Sequence, residues 1–375
     1  MLPYIVAFAL TALLAYAAGR KAYEDASALK RCLLALCICA PVVLLAALRD
    51  YSIGTDVLVY GKSSFELACS CSFPMFHQLT ADDYGIGYIA LCWVVSNAFD
   101  SLPVFLGAVE LFAFLPVVLA CFKLNAKYAW VGISAFLLLF YGGTLNYLRQ
   151  GMALGFVLLS VACLLKRERK SCLVLFVVAV CMHQTAILAI PMYLLCLYYL
   201  SAFSADRDLS KQGKILVNGI ACIASVAVVA FGRNLVVFFS SAKDSYAAQV
   251  SRLGTGGVNI AVTAILLLFV LLLYMHAKSK SCRSSRVSEC LVLLVVIGFL
   301  LRFLTVWQAQ LERVALFYLA CCALALPILA ANLKDRDRAP FVFGSIAIPA
   351  VYFFVYYVYL GYSEICPFVI NGLLF

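Results

Sequence analysis

Residues 146–191 read NYLRQGMALGFVLLSVACLLKRERKSCLVLFVVAVCMHQTAILAIP. Two strongly apolar runs flank a basic cluster, Lys166 to Lys170. Asn146, Arg149 and Gln150 stand where the first run begins, and His183, Gln184 and Thr185 interrupt the second. A charge in hydrocarbon costs roughly 2.5–3.5 kcal/mol even on the mild insertion scale, so such side chains persist where they meet a protein interior, a watery cavity or a ligand. Spacings of three and four predict that Asn146, Arg149 and Gln150 share one helix face. That face would offer a guanidinium fork and two amides, suited to phosphate or sugar oxygens.

The rest of the chain repeats this pattern. Of its 375 residues, 66% are hydrophobic and 12% charged, whereas soluble domains run at about 45–50% and 25%. The expected fold is all-α: a polytopic integral membrane protein, one membrane domain over residues 1–375. At about 20 residues per crossing it should hold about 11–13 transmembrane or re-entrant helices. Predicted helices are Leu2–Ala18, Cys32–Leu48, Gly85–Phe99, Pro103–Phe122, Tyr128–Leu145, Gly151–Leu165, Ser171–Phe203, Ile215–Phe231, Val258–His276, Val287–Thr305, Val314–Ala331 and Phe341–Leu360. Ser171–Phe203 is long enough to fold back near His183 to Pro191, and the first run, lacking a basic leader and a small-residue cleavage site, reads as a retained helix.

Lys and Arg cluster in short loops, at 20–31, 123–127, 166–170, 207–214, 278–286 and 334–338, which predicts cytoplasmic placement for all of them. The net charge of +10 therefore does not point to nucleic acid. Residues 49–84 carry Asp50, Asp56, Glu66, Asp82 and Asp83 against Arg49 and Lys62, and should form an external loop, as should 232–257. Two full crossings between 84 and 123 would put Lys123 outside; either Gly85–Phe99 or Pro103–Phe122 must dip and return, or Lys123 and Lys127 break the rule.

Most of the 17 cysteines lie inside apolar runs, where Cys is a small hydrophobe. No spacing reads as a zinc site, and no phosphate-cradling G-x-x-x-x-G-K-[ST], D-x-D or H-E-x-x-H is present. Neither ATP-driven transport nor a metal-dependent nucleotide-sugar transferase is suggested, and no cofactor is expected.

Three motifs fall in order. Arg49 to Tyr60 matches R-x-x-x-x-G-T-D-x-x-x-Y through Arg49, Gly54, Thr55, Asp56 and Tyr60. Asn146 to Ile187 matches N-x-x-R-Q, apolar run, basic turn, apolar run, H-x-[ST]-A-I. Arg313 and Tyr318 lie in ERVALFY. In this combination the chain resembles the EpsG-like family, related to the Wzy-type polymerases of bacterial exopolysaccharide, capsule and O-antigen. Gln184-Thr185 stands where the family more often has Lys-Ser.

The resemblance implies a bacterial inner-membrane enzyme that joins oligosaccharide repeats at the external face. The donor and acceptor would both be lipid-linked, the donor on an undecaprenyl-diphosphate-type carrier. Other polysaccharide assembly proteins are possible partners. Arg49, Arg149 and Arg313 would hold the diphosphate, with Asn146 and Gln150 beside them; Asp56 or His183 would take the acceptor's proton; Gly54 and Tyr60 would shape the loop. Read from the residues alone, other roles stay open. Arg49 and Asp56 could snorkel and cap at a helix end, with Thr55 and Asp56 as N-cap types. Arg149 could pair with an acid, Arg313 could simply partner Glu312, and His183 could be a base, a phosphate donor or a buried structural residue. A lipid-oligosaccharide flippase and a membrane O-acyltransferase are the alternative functions.

Overall fold

The computed structural model describes residues 1–19, 23–201, 211–232, 234, 256–280, 286–307 and 311–372. The expected loop at 232–257 falls almost wholly outside them, as do Gln308 and Gln310, which the sequence offers as candidates to bind glycan hydroxyls. Among the described residues the chain is helical, with no strand beyond one isolated bridge. Helices prevail because a segment in hydrocarbon must satisfy its backbone polar groups within itself.

In chain order the helices are α1 (Leu2–Ala18), α2 (Ala28–Leu48), α3 (Lys62–Ser70), α4 (Phe73–Thr80), α5 (Ile86–Phe99), α6 (Leu102–Asn125), α7 (Ala129–Asn146) and α8 (Leu148–Leu165). There follow α9 (Arg169–Met182), α10 (Ile190–Ser201), α11 (Lys211–Ala230), α12 (Gly256–Lys280), α13 (Arg286–Arg302), α14 (Glu312–Leu319), α15 (Cys322–Ala331) and α16 (Asp335–Phe353). Among the described residues eight helical stretches are long and apolar enough to cross a membrane, and Leu2–Ala18, Ile86–Phe99 and Gln184–Leu200 are shorter apolar helices. The apolar runs of the sequence thus become helices at the predicted places.

The centre of the bundle is α8, packed between α6 and α9. All its residues are buried except Arg149 and Phe156. Arg149 lies in its first turn and Lys166 follows its end, so α8 separates them by roughly 25 Å at 1.5 Å per residue. At the Lys166 end, Lys123 Nζ lies 2.8 Å from a Glu168 carboxylate oxygen. The C-terminus of α6 therefore sits beside the 166–170 turn.

That pair puts Lys123 at the Lys166 end of α8. Helix α5 has 14 residues, about 21 Å of length, short of a hydrocarbon core of about 30 Å. It packs along the 62–80 helices: Trp93 Nε1 donates to Cys71 O at 3.0 Å, Asn97 Nδ2 to Ala68 O at 3.1 Å, and Cys69 Sγ to Asp100 at 3.3 Å. Residues 49–101 form one layer at the Arg149 end, and α6 leaves from it. The C-terminal stretch joins this layer. Asp50 N donates to Val369 O at 2.8 Å, Asn371 N to Leu48 O at 3.0 Å, and Tyr4 Oη to Ile365 O at 2.8 Å.

Candidate functional site

Asn146, Arg149 and Gln150 do not share a helix face, which corrects the reading from their spacing. The backbone leaves the helix at Tyr147 (φ −93°, ψ 65°), so Asn146 ends α7 while Arg149 and Gln150 open α8. Their side chains part three ways. Asn146 Oδ1 accepts from the backbone N–H of Asp56 at 3.4 Å. Gln150 Nε2 donates to the backbone carbonyl of Arg313 at 2.9 Å. Arg149 Nη1 donates to the carbonyl of Asp83 at 2.6 Å. The turn fastens three distant segments together: 49–60, 83–88 and the start of α14.

Asp56 is not a helix cap. Its backbone is already helical and its carboxylate caps nothing. Instead Tyr60, one turn on, donates its hydroxyl to Asp56 Oδ2 at 2.7 Å. Burial pushes the Asp56 carboxyl above its ordinary range, against the opposing pull of Arg313, the Tyr60 hydrogen bond and Arg149. Gly54 serves geometry: its φ is +87°, and a Cβ there would stand 2.4 Å from the carbonyl oxygen of Leu145. Only glycine fits both demands.

The two cations rest on aromatic faces. Arg149 Cζ lies 4.4 Å from the Tyr60 ring centroid, 4.7 Å from Tyr84 and 5.9 Å from Tyr88. Arg313 Cζ lies 4.7 Å from the Tyr147 centroid. Among the described residues neither has a carboxylate within ion-pair distance, and Nε of each is buried without a hydrogen-bond partner. Arg313 does not pair with Glu312; that carboxylate belongs to Arg302, 2.7 Å away. A π face supports a cation without cancelling its charge.

His183 stands in extended backbone (φ −155°) between α9 and the following 3₁₀ turn. Its Nδ1 accepts from the Thr185 N–H at 3.4 Å, which leaves the proton on Nε2. Burial, with Arg149 and Arg313 nearby, lowers its pKa to about 3. His183 is therefore neutral and donates from Nε2. Close packing brings it here: a Cβ on Gly85 would be 2.3 Å from the carbonyl oxygen of Cys181, so Gly85 lets the 83–88 segment lie against the end of α9.

Arg49 is not brought to this cluster. It is 1% exposed, and its electrostatic neighbours are Glu110, Tyr141 and Tyr4. Glu110, also buried, accepts from Thr144 Oγ1 at 3.1 Å. By contrast Arg149 and Arg313 are electrostatic neighbours of both Asp56 and His183. Sequence reasoning missed Tyr84, Tyr88 and Tyr147. Tyr84 and Tyr88 are four apart, and Tyr147 lies inside the N-x-x-R motif, but tyrosine is so common here that neither signal stands out.

The EpsG family profile matches residues 32–369, nearly the whole chain, and the chain belongs to that family. Membership supports a role in polysaccharide biosynthesis. No curated protein and no solved structure matches it.

Proposed function

From that family membership we propose that the protein polymerises lipid-diphosphate-linked oligosaccharide repeats by glycosyl transfer. The observation that carries the reading is the pair of guanidiniums, Arg149 and Arg313, held on tyrosine rings with no ion-pair partner among the described residues, both electrostatic neighbours of the Asp56 carboxylate. Two unneutralised forks suit a diphosphate leaving group. Lysine could supply the charge but not the planar fork.

In the reaction an acceptor hydroxyl attacks the anomeric carbon of the donor. A new C–O bond forms there, the bond to the diphosphate oxygen breaks, and the lipid diphosphate leaves with the electron pair. Arg149 and Arg313 hold the departing charge. Asp56 takes the hydroxyl proton, since its raised pKa makes it a better base than an ordinary carboxylate. His183, with so low a pKa, is a hydrogen-bond donor to a diphosphate or sugar oxygen rather than the base. Gln150 and Asn146 place Arg313 and Asp56. Arg49, with Glu110, belongs to the packing of the C-terminal stretch instead.

The site lies at the end of α8 remote from Lys166–Lys170. If the basic turns face the cytoplasm, it opens on the external side of a bacterial cytoplasmic membrane. The test is a strain lacking this protein. A lost polymerase leaves single repeats on lipid at the external face; single repeats confined to the cytoplasmic face would instead indicate a flippase, and long chains lacking an ester an acyltransferase.

A further inference from the structure

We propose that Arg302 is a positioning residue: it neutralises Glu312 so that the cation of Arg313, the next residue, stays available to a diphosphate. The inference rests on the reading of Arg313 as a diphosphate ligand. Arg302 ends α13 and is 2% exposed. Its Nη1 lies 2.7 Å from Glu312 Oε1. The Tyr356 hydroxyl donates to both oxygens of that carboxylate, at 3.0 and 3.1 Å, and accepts from Arg302 Nη2 at 3.3 Å. Tyr356 is stacked against Tyr352 and Tyr362, with centroids 5.1 and 4.4 Å away. Its ring cannot swing aside without breaking both stacks.

Glu312 opens α14, and adjacent residues on a helix do not face each other. The carboxylate turns to Arg302 and the Arg313 guanidinium turns to Tyr147. Yet the two remain electrically close: Tyr147 has Glu312, Arg313, Arg302 and Asp56 all as electrostatic neighbours. An uncompensated carboxylate at that range, in a poorly solvated place, would attract Arg313 and repel an arriving anion. Arg302 removes that interference. The Glu-Arg dipeptide looks like a local pair, and the fold directs the acid to a different arginine.

The test is binding of farnesyl diphosphate, a short polyprenyl diphosphate, to the purified full-length protein. Arg302→Met is expected to weaken binding about 10–100-fold, the weight of a hydrogen bond to a charged group. Adding Glu312→Gln removes both charges together and is expected to restore affinity to within about threefold of the parent. A purely structural pair would show its loss and recovery in melting temperature and abundance, with the affinity of the folded protein unchanged throughout. If Arg302→Met does not fold, Tyr356→Phe keeps the ring, loses one hydrogen bond to Glu312 and is expected to weaken binding roughly threefold or more; unchanged affinity in that variant overturns the proposal. So does unchanged affinity in Arg302→Met, or a double variant as weak as the single one. Arg313→Met separates the two levels. If it binds like the parent, the diphosphate role falls and the guard with it; if it binds weakly while Arg302→Met binds normally, only the guard falls.

Discussion

Arginines drawn into the protein at the Arg149 end of the bundle are treated in two ways, Arg302 in one and Arg149 and Arg313 in the other. Arg302 lies on a glutamate at 2.7 Å. Arg149 and Arg313 lie on tyrosine rings and have no acid within ion-pair distance among the described residues. The first kind of environment cancels a charge and leaves structure. The second holds a charge in place and leaves it for an anion. Burial alone would have ranked Arg49 and Arg302 first; what distinguishes the other two is the chemistry beneath the guanidinium.

Asp56→Asn should give the largest effect on the tyrosine-held side. Losing a general base is expected to cut polymerisation per molecule by about 10²–10⁴-fold at normal abundance, read as polymer ladder length against the protein level. Arg149→Lys keeps the charge and loses the fork, and about 10–100-fold loss is expected. The Glu110 region should behave in the opposite way. Glu110→Ala removes the acceptor of Thr144 and a carboxylate from the surroundings of the buried Arg49, at a cost of about 1–3 kcal/mol in stability. Lower abundance and a lower melting temperature are expected, with the surviving protein polymerising normally; reduced polymerisation by a fully stable Glu110→Ala protein would break the comparison.

The pH profile sharpens it further. Asp56 must be ionised to accept a proton, so activity is expected to fall as pH drops through a midpoint above the ordinary aspartate value of about 3.9. Replacing Arg313 by Met removes a charge that lowers this pKa, and the midpoint should move up. Burial and the neighbouring arginines hold the His183 pKa well below its ordinary value, so His183→Gln should lower activity without reshaping the profile between roughly pH 5 and 8. Gly85→Ala should have the smallest effect. Its Cβ would press on the Cys181 carbonyl, an overpacking strain of about 1–3 kcal/mol, felt as a modest drop in rate because the 83–88 segment shifts under Arg149.

The helices were legible because hydrocarbon admits little else, and each apolar run landed on a helix. The polar groups of the candidate site stood out in the sequence, but their geometry did not. Asn146, Arg149 and Gln150 were visible as polar groups in an apolar run; the break at Tyr147 was not, because nothing in N-Y-L-R-Q signals a turn as Gly or Pro would. Asp56 looked like a cap because its neighbours did, while its partner Tyr60 lies one turn ahead on a segment with no apolar periodicity. The place of α5 was ambiguous from composition, because its contacts with the 62–80 helices run through hydrogen bonds such as Trp93 to Cys71 that no apolar pattern signals. Arg49 sits in the same motif as Asp56, so sequence proximity grouped two side chains that the fold gives different neighbours.

The most direct measurement is the lipid-linked material in a strain whose only copy of this protein carries Asp56→Asn at normal abundance. The account predicts single repeat units on lipid at the external face, with no ladder above them. A ladder of ordinary length from that strain would contradict it.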